Sequence, residues 1–193
     1  MVKFVFISGP PGSGKSTQAK LISDYLGYGF FDTGDMVRRL IADGTLKMGD
    51  RLAEGFLMPE KQTLIYAKRE LGELLEKENK GFVISGIPRS HAQAIEIDGE
   101  EGIVKWLTEK FDKNELLFIN LEIPEGESIK RNLARHQGRV DDRMDVLKTR
   151  LKVFKETTLP SFEELKKLGY RVIKIDGRPS IETVFENIKK HLE

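Results

Sequence analysis

The chain has no cysteine, so neither a disulfide nor a cysteine-ligated zinc can stabilise it. It also lacks an excess of either charge. Its 32 basic and 31 acidic side chains leave a formal charge of +1, which argues against nucleic acid or a membrane surface as the main partner. No apolar run approaches the roughly 20 residues that a membrane-crossing helix requires. The first apolar stretch leads straight into a glycine-rich loop instead of a cleavage site, so no secretion signal is expected. These absences point to the cytoplasm. There is no internal repeat and no low-complexity segment. Only nine residues are Asn or Gln while 33% are charged, a balance that fits a heat-tolerant protein or an ordinary highly charged one. What is present is 193 residues, 39% of them hydrophobic. That is the composition of a single globular domain, 1–193, with a sizeable core.

The most specific stretch is Gly9-Pro10-Pro11-Gly12-Ser13-Gly14-Lys15-Ser16-Thr17. It satisfies the phosphate-binding pattern G-x-x-x-x-G-K-[ST] at every specified position. Val2 to Ser8 ahead of it is a short apolar run rich in β-branched and aromatic residues, as a buried parallel strand should be. Ser16 to Ile22 behind it reads as a helix start. Strand, glycine loop and helix in that order make a polyphosphate cradle. Glycines let backbone N–H groups turn towards the anion, and the helix N-terminus adds partial positive charge. Lys15 can reach the outer phosphates, and the Ser16 hydroxyl can meet Mg²⁺.

Strands and helices alternate along the rest of the chain. Tyr28–Asp32, Phe82–Ser85, Leu116–Leu121 and Arg171–Ile175 read as further strands. Thr33 to Gly55 reads as short helices broken near Gly44 and Gly49. Glu60 to Lys77 is a longer helix with Leu64, Ala67, Leu71, Leu74 and Leu75 at helical spacing. A helix over 125–135 and a last one from Ser180 to Leu192 follow. The pattern predicts an α/β fold, a five-stranded parallel sheet with helices on both faces, whose ligands bind at the carboxyl ends of the strands. Trp106, with Ile103, Leu107 and Phe111, reads as core packing. His91, His136 and His191 read as isolated and solvated.

Those strand ends carry polar groups in a recognisable order. After the phosphate loop come T-G-D-M-V-R at 33–38, G-x-P-R-x-x-x-Q at 86–93, and G-R-V-D-D at 138–142 followed by K-x-R-L at 148–151. Through these matches, which span most of its length, the chain resembles the adenylate kinase family of nucleoside monophosphate kinases. The resemblance implies a P-loop domain with a small helical NMP-binding segment over about 33–62 and a lid over about 136–141. That lid is short, so the longer and sometimes zinc-bearing lid of other members is not expected. It implies reversible conversion of ATP and AMP into two ADP, with ATP as co-substrate, Mg²⁺ as cofactor and no zinc. The partners would be these nucleotides alone, and the protein a monomer.

The residue roles follow from the same resemblance. Gly12, Ser13, Gly14, Lys15, Ser16 and Thr17, with Arg131, Arg135 and Arg178, would bind ATP, Arg131 by stacking on its base. Arg38 and Arg89 would grip the acceptor monophosphate. Arg135, Arg139 and Arg150 would clamp the phosphoryl group in transit, with Lys15 and Arg89 completing the catalytic set. Thr33, Gly34, Phe56, Leu57, Met58, Gly86 and Gln93 would complete the AMP site with Arg139 and Arg150. Arginine suits this work because its planar fork grips phosphate oxygens in pairs and stays charged. Any of these arginines taken alone could equally be a solvated charge. Thr33 and Gln93 match the adenylate members, whereas pyrimidine-directed relatives tend to have Ala and Asn there. Asp141 and Asp142 either orient the lid arginines or favour the first turn of the next helix.

One position departs from the family pattern. The family usually has Asp, a partner of the Mg²⁺ water shell, where this chain has Ser85. Ser16 would meet the metal directly and Asp35 through water. Asp32 either supplies the missing charge or merely caps the following helix. The departure keeps other readings open: a kinase for UMP, CMP or another small acceptor, a nucleotide-binding sensor with weakened transfer, or a phosphate-loop ATPase or GTPase switch.

Overall fold

The computed structural model describes residues 1–47, 58–77, 80–134 and 143–192. Along the chain run β1 (Phe4–Ser8), α1 (Lys15–Leu26), β2 (Gly29–Asp32), α2 (Thr33–Ala42) and α3 (Glu60–Leu75). Next come β3 (Phe82–Ser85), α4 (His91–Ala94), β4 (Glu96–Ile97), β5 (Glu100–Glu101), α5 (Ile103–Thr108) and β6 (Leu116–Glu122). The chain closes with α6 (Glu125–Ala134), α7 (Met144–Val153), α8 (Leu159–Lys167), β7 (Arg171–Asp176) and α9 (Ile181–Lys189). The main sheet has five strands in the order β2-β3-β1-β6-β7. Every neighbouring pair in it is parallel. No described helix is long and apolar enough to cross a membrane.

The central strands are apolar throughout because both of their faces are covered. Side-chain alternation divides them between two cores. Phe4, Phe6, Phe82, Ile84, Leu116 and Phe118 face one side, with Leu64, Ala67 and Leu71 of α3, Leu107 of α5 and Phe162 of α8. Val5, Ile7, Val83, Leu117, Ile119 and Leu121 face the other, with Ala19 and Ile22 of α1 and Val184 and Ile188 of α9. The Phe6 and Phe118 rings stack at 4.7 Å. Trp106 packs against the first core, as its sequence neighbourhood predicts.

The structure refines several expectations. The helix predicted to Lys77 ends at Leu75, and the last helix closes at Lys189 instead of Leu192. An antiparallel ribbon joins β4 to β5, with turn residue Asp98 at φ 48°. Between α7 and α8 the helix widens into a π turn over Phe154–Thr158. The cause is Pro160, in the first turn of α8. It offers no N–H and its ring crowds the carbonyl four residues back, so the α ladder cannot run through unbroken. His91 is half exposed but not isolated, since its Nδ1 lies 2.8 Å from a Glu164 carboxylate oxygen. The predicted lid, 136–141, and much of the segment between Gly44 and Gly55 lie outside the described residues.

Candidate active site

The cleft forms at the carboxyl ends of β1, β2 and β3, where α1 starts. Gly12 (φ 74°) and Gly14 (φ 86°) are in the left-handed region that glycine alone enters cheaply. A Cβ on Gly12 would also overlap the Asn132 amide of α6. The loop is held from within by the Ser13 N–H donating to the Pro10 carbonyl (3.1 Å). It is held from outside by the Ser128 hydroxyl donating to the Pro11 carbonyl (2.6 Å). Asn132 Nδ2 donates to the Ser128 carbonyl (2.8 Å), so one face of α6 braces the loop. Lys15 is the first residue of α1, and its Nζ donates to the Pro10 carbonyl at 3.4 Å.

Gly12, Gly14, Lys15, Ser16, Asp32, Gly34, Arg38, Ser85, Gly86, Arg89, Asn132 and Arg150 line one cleft. A second hollow beside it shares Lys15, Gly86, Arg89 and Arg150, and is closed by Val153, Phe154 and Thr158 of α7 and the π turn. Gly86, at φ 84°, leaves no room for a side chain beside the Thr33 hydroxyl. Thr33 donates that hydroxyl to the Ser85 carbonyl (3.3 Å), tying β2 to β3. Arg89 is fixed by its Nε donating to the Gly86 carbonyl (2.7 Å) and by its backbone N–H donating to Gln93 Oε1 (2.9 Å). Gln93 is buried on α4, whose start is capped by Ser90.

Electrostatically the cleft is built for anions. Burial first, then the neighbouring cations Arg150 and Arg38, lower the Arg89 pKa to about 10, against the opposing pull of Asp32. Holding these cations together is unfavourable until a bound anion compensates them.

The remaining predicted residues are placed as follows. Ser13 is buried within the loop, and Thr17 is exposed on the first turn of α1. Asp32 caps α2 by accepting the Asp35 N–H (3.0 Å). Asp35 is exposed and ion-paired with Arg38. Met58 is buried in the core under α3. Arg131 is anchored by the Gly177 carbonyl (2.8 Å), the Arg178 carbonyl (2.9 Å) and Glu127 (2.6 Å). Arg178 pairs with Asp176, whose carboxyl it draws down to about 2. Phe56, Leu57, Arg135, Arg139, Asp141 and Asp142 lie outside the described residues. Sequence reasoning missed Ser128 and Asn132; their one signal is i, i+4 spacing on a single helix face.

A protein-family model described as an AAA domain matches residues 8–148. The chain is 35% identical over 201 residues to an adenylate kinase of Trichodesmium erythraeum, covering 100% of this chain and 98% of that protein. It is 33% identical to adenylate kinase 1 of Synechocystis over 98% of this chain and 97% of that protein. Identity to UMP-CMP kinase 3 of Arabidopsis thaliana is also 33%, over 96% of this chain and 86% of that protein. Relatives of both names align along nearly the whole of a fold that gathers lysine and arginines around a phosphate loop, and the chain accordingly belongs to the nucleoside monophosphate kinase family.

Proposed function

We propose that the chain transfers the γ-phosphoryl group of ATP to AMP, reversibly giving two ADP. The observation that carries this reading is the convergence of Arg38, Arg89 and Arg150 on the cleft that holds Lys15 and the phosphate loop. A hydrolase needs one phosphate site, whereas a kinase for a phosphorylated acceptor needs two. The loop N–H groups, Lys15 and Ser16 take the ATP phosphates. Arg38 and Arg89 orient the acceptor phosphate, and Arg150 stands where it can meet the group in transit. An acceptor phosphate oxygen attacks the γ-phosphorus as the bond to the ADP oxygen breaks. The nucleophile is already an anion, so the protein's task is positioning and charge stabilisation. Arg131 and Arg178 border the ATP base. The segment 33–62 and the lid 136–141, with Arg135 and Arg139, close over the nucleotides and exclude water. A cytoplasmic monomer fits this reading.

The residues present fit Mg²⁺. The cleft offers hard oxygen donors in the Ser16 hydroxyl and the Asp32 carboxylate, and Ser85 Oγ is fully buried with no hydrogen-bond partner among the described residues. Bound there, the ion would neutralise the β- and γ-phosphate oxygens.

Gln93 and Thr33 support AMP as acceptor. The Gln93 side chain accepts the Arg89 N–H, and in this reading it would meet the acceptor base while holding the arginine that grips the acceptor phosphate. The match to UMP-CMP kinases at 33% identity favours a second reading, transfer to UMP or CMP. Initial rates with ATP, Mg²⁺ and AMP, UMP or CMP decide between them, and the proposal requires kcat/KM to be highest with AMP. Gln93→Ala should lower the AMP-to-UMP ratio of kcat/KM by about tenfold, since the lost contacts serve the base. An unchanged ratio removes Gln93 from base recognition.

A further inference from the structure

We propose that Asp32 and Ser85 work as a divided pair, a carboxylate on one strand and a hydroxyl on the next, that together hold the water shell of the nucleotide-bound divalent cation. The inference rests on the kinase reading only in requiring a cation on the ATP phosphates, and not on which acceptor is used.

The two residues are neighbours in the parallel register of β2 and β3. Alternation fixes the face they share. Phe30 and Val83, two positions earlier on each strand, pack in the core beneath α1. Asp32 and Ser85 continue that face to the strand ends, and both line the cleft with Ser16.

Ser85 is fully buried, yet its hydroxyl has no partner among the described residues. Buried polar groups are normally satisfied, and a hydroxyl left open beside a phosphate loop needs a ligand such as an ordered water. A hydroxyl alone brings no charge to a cation. Asp32 supplies it, because capping α2 engages only its Oδ1. Among the described residues the other nearby acid, Asp35, is exposed, bound to Arg38 and not part of the cleft wall. Mg²⁺ usually keeps several of its waters, so acceptors placed one water away suit it.

Asp32 also offsets the positive charge around Arg89, so the test must separate a metal role from a role towards the acceptor. The probe is Mn²⁺, whose binding to the full-length protein with ATP is read by electron paramagnetic resonance. Asp32→Asn keeps a good helix cap and removes the charge. It should weaken Mn²⁺ binding to the protein–ATP complex by about tenfold, the usual scale for groups that act on a metal through its ligands. Ser85→Ala should weaken it by a smaller factor. ATP binding in EDTA should stay within about twofold for both, as neither touches the phosphates directly. Unchanged Mn²⁺ affinity in either variant overturns the pair. So does an equal loss of ATP binding in EDTA, which would mean that the nucleotide and not the metal is affected. A kinase preferring UMP would leave these outcomes as they stand.

Discussion

Lys15→Ala is expected to lower kcat by about 10²- to 10³-fold, the range for removing one preorganised group from a developing charge. Lys15 opens α1, directly after the left-handed Gly14, so its stem leaves from the floor of the phosphate cradle. Its Nζ contact to the Pro10 carbonyl is long, at 3.4 Å, and exchanging it for a phosphate oxygen makes a shorter, charge-assisted bond. Alanine is the best helix former, so α1 itself should not suffer. Circular dichroism should therefore show a folded protein, while steady-state rates with saturating ATP collapse. A loss of less than about tenfold would take Lys15 out of transition-state stabilisation.

Arg89→Ala should lower kcat/KM for the acceptor by about 10²- to 10³-fold. Arg89 stands among Arg38, Arg150 and Asp32, and its pKa of about 10 records how poorly burial and two neighbouring cations tolerate its charge. Removing it relieves that repulsion while losing the 2.7 Å bond to the Gly86 carbonyl. The two effects oppose each other in the free protein, so thermal stability should move little. The phosphate-bound state has no such compensation. Arg89→Lys should recover only part of the activity, because an ammonium keeps the charge but not the paired geometry of the guanidinium. Burial and the neighbouring cations lower the Arg89 pKa only to about 10, so its charge persists across the neutral range. Acceptor KM should therefore stay flat from pH 7 to 8.5, and a rise over that range that Arg89→Ala abolishes would contradict it.

The sheet was legible because its central strands are apolar on both faces, and Phe4 to Ser8 reads as buried with no knowledge of its neighbours. The ribbon at Glu96–Glu101 was not, since its strands are two residues each and three of those four residues are glutamates. Pro160 marks a break in a helix, but the sequence does not say that the chain absorbs it as a π turn. Within the site, Lys15, Arg38, Arg89 and Arg150 stand in motifs whose spacing carries their meaning. Ser128 and Asn132 do not. Their role depends on α6 lying against Pro11 and Gly12, a contact made across 117 residues of chain for Ser128. Asp32 reads from sequence as a helix cap, which it is. That it stands beside a buried, unpartnered Ser85 emerges only from the strand register.

Two phosphate sites sharing one cleft should pass phosphate between nucleotides and not to water. Following the label from ATP carrying radioactive γ-phosphate, with AMP and Mg²⁺ present, tests it most directly. Nearly all label lost from ATP should appear in ADP, and release of inorganic phosphate should be slow with or without AMP. Label accumulating mainly as inorganic phosphate, at a rate indifferent to AMP, UMP and CMP, would contradict it and make the cleft that of a hydrolase.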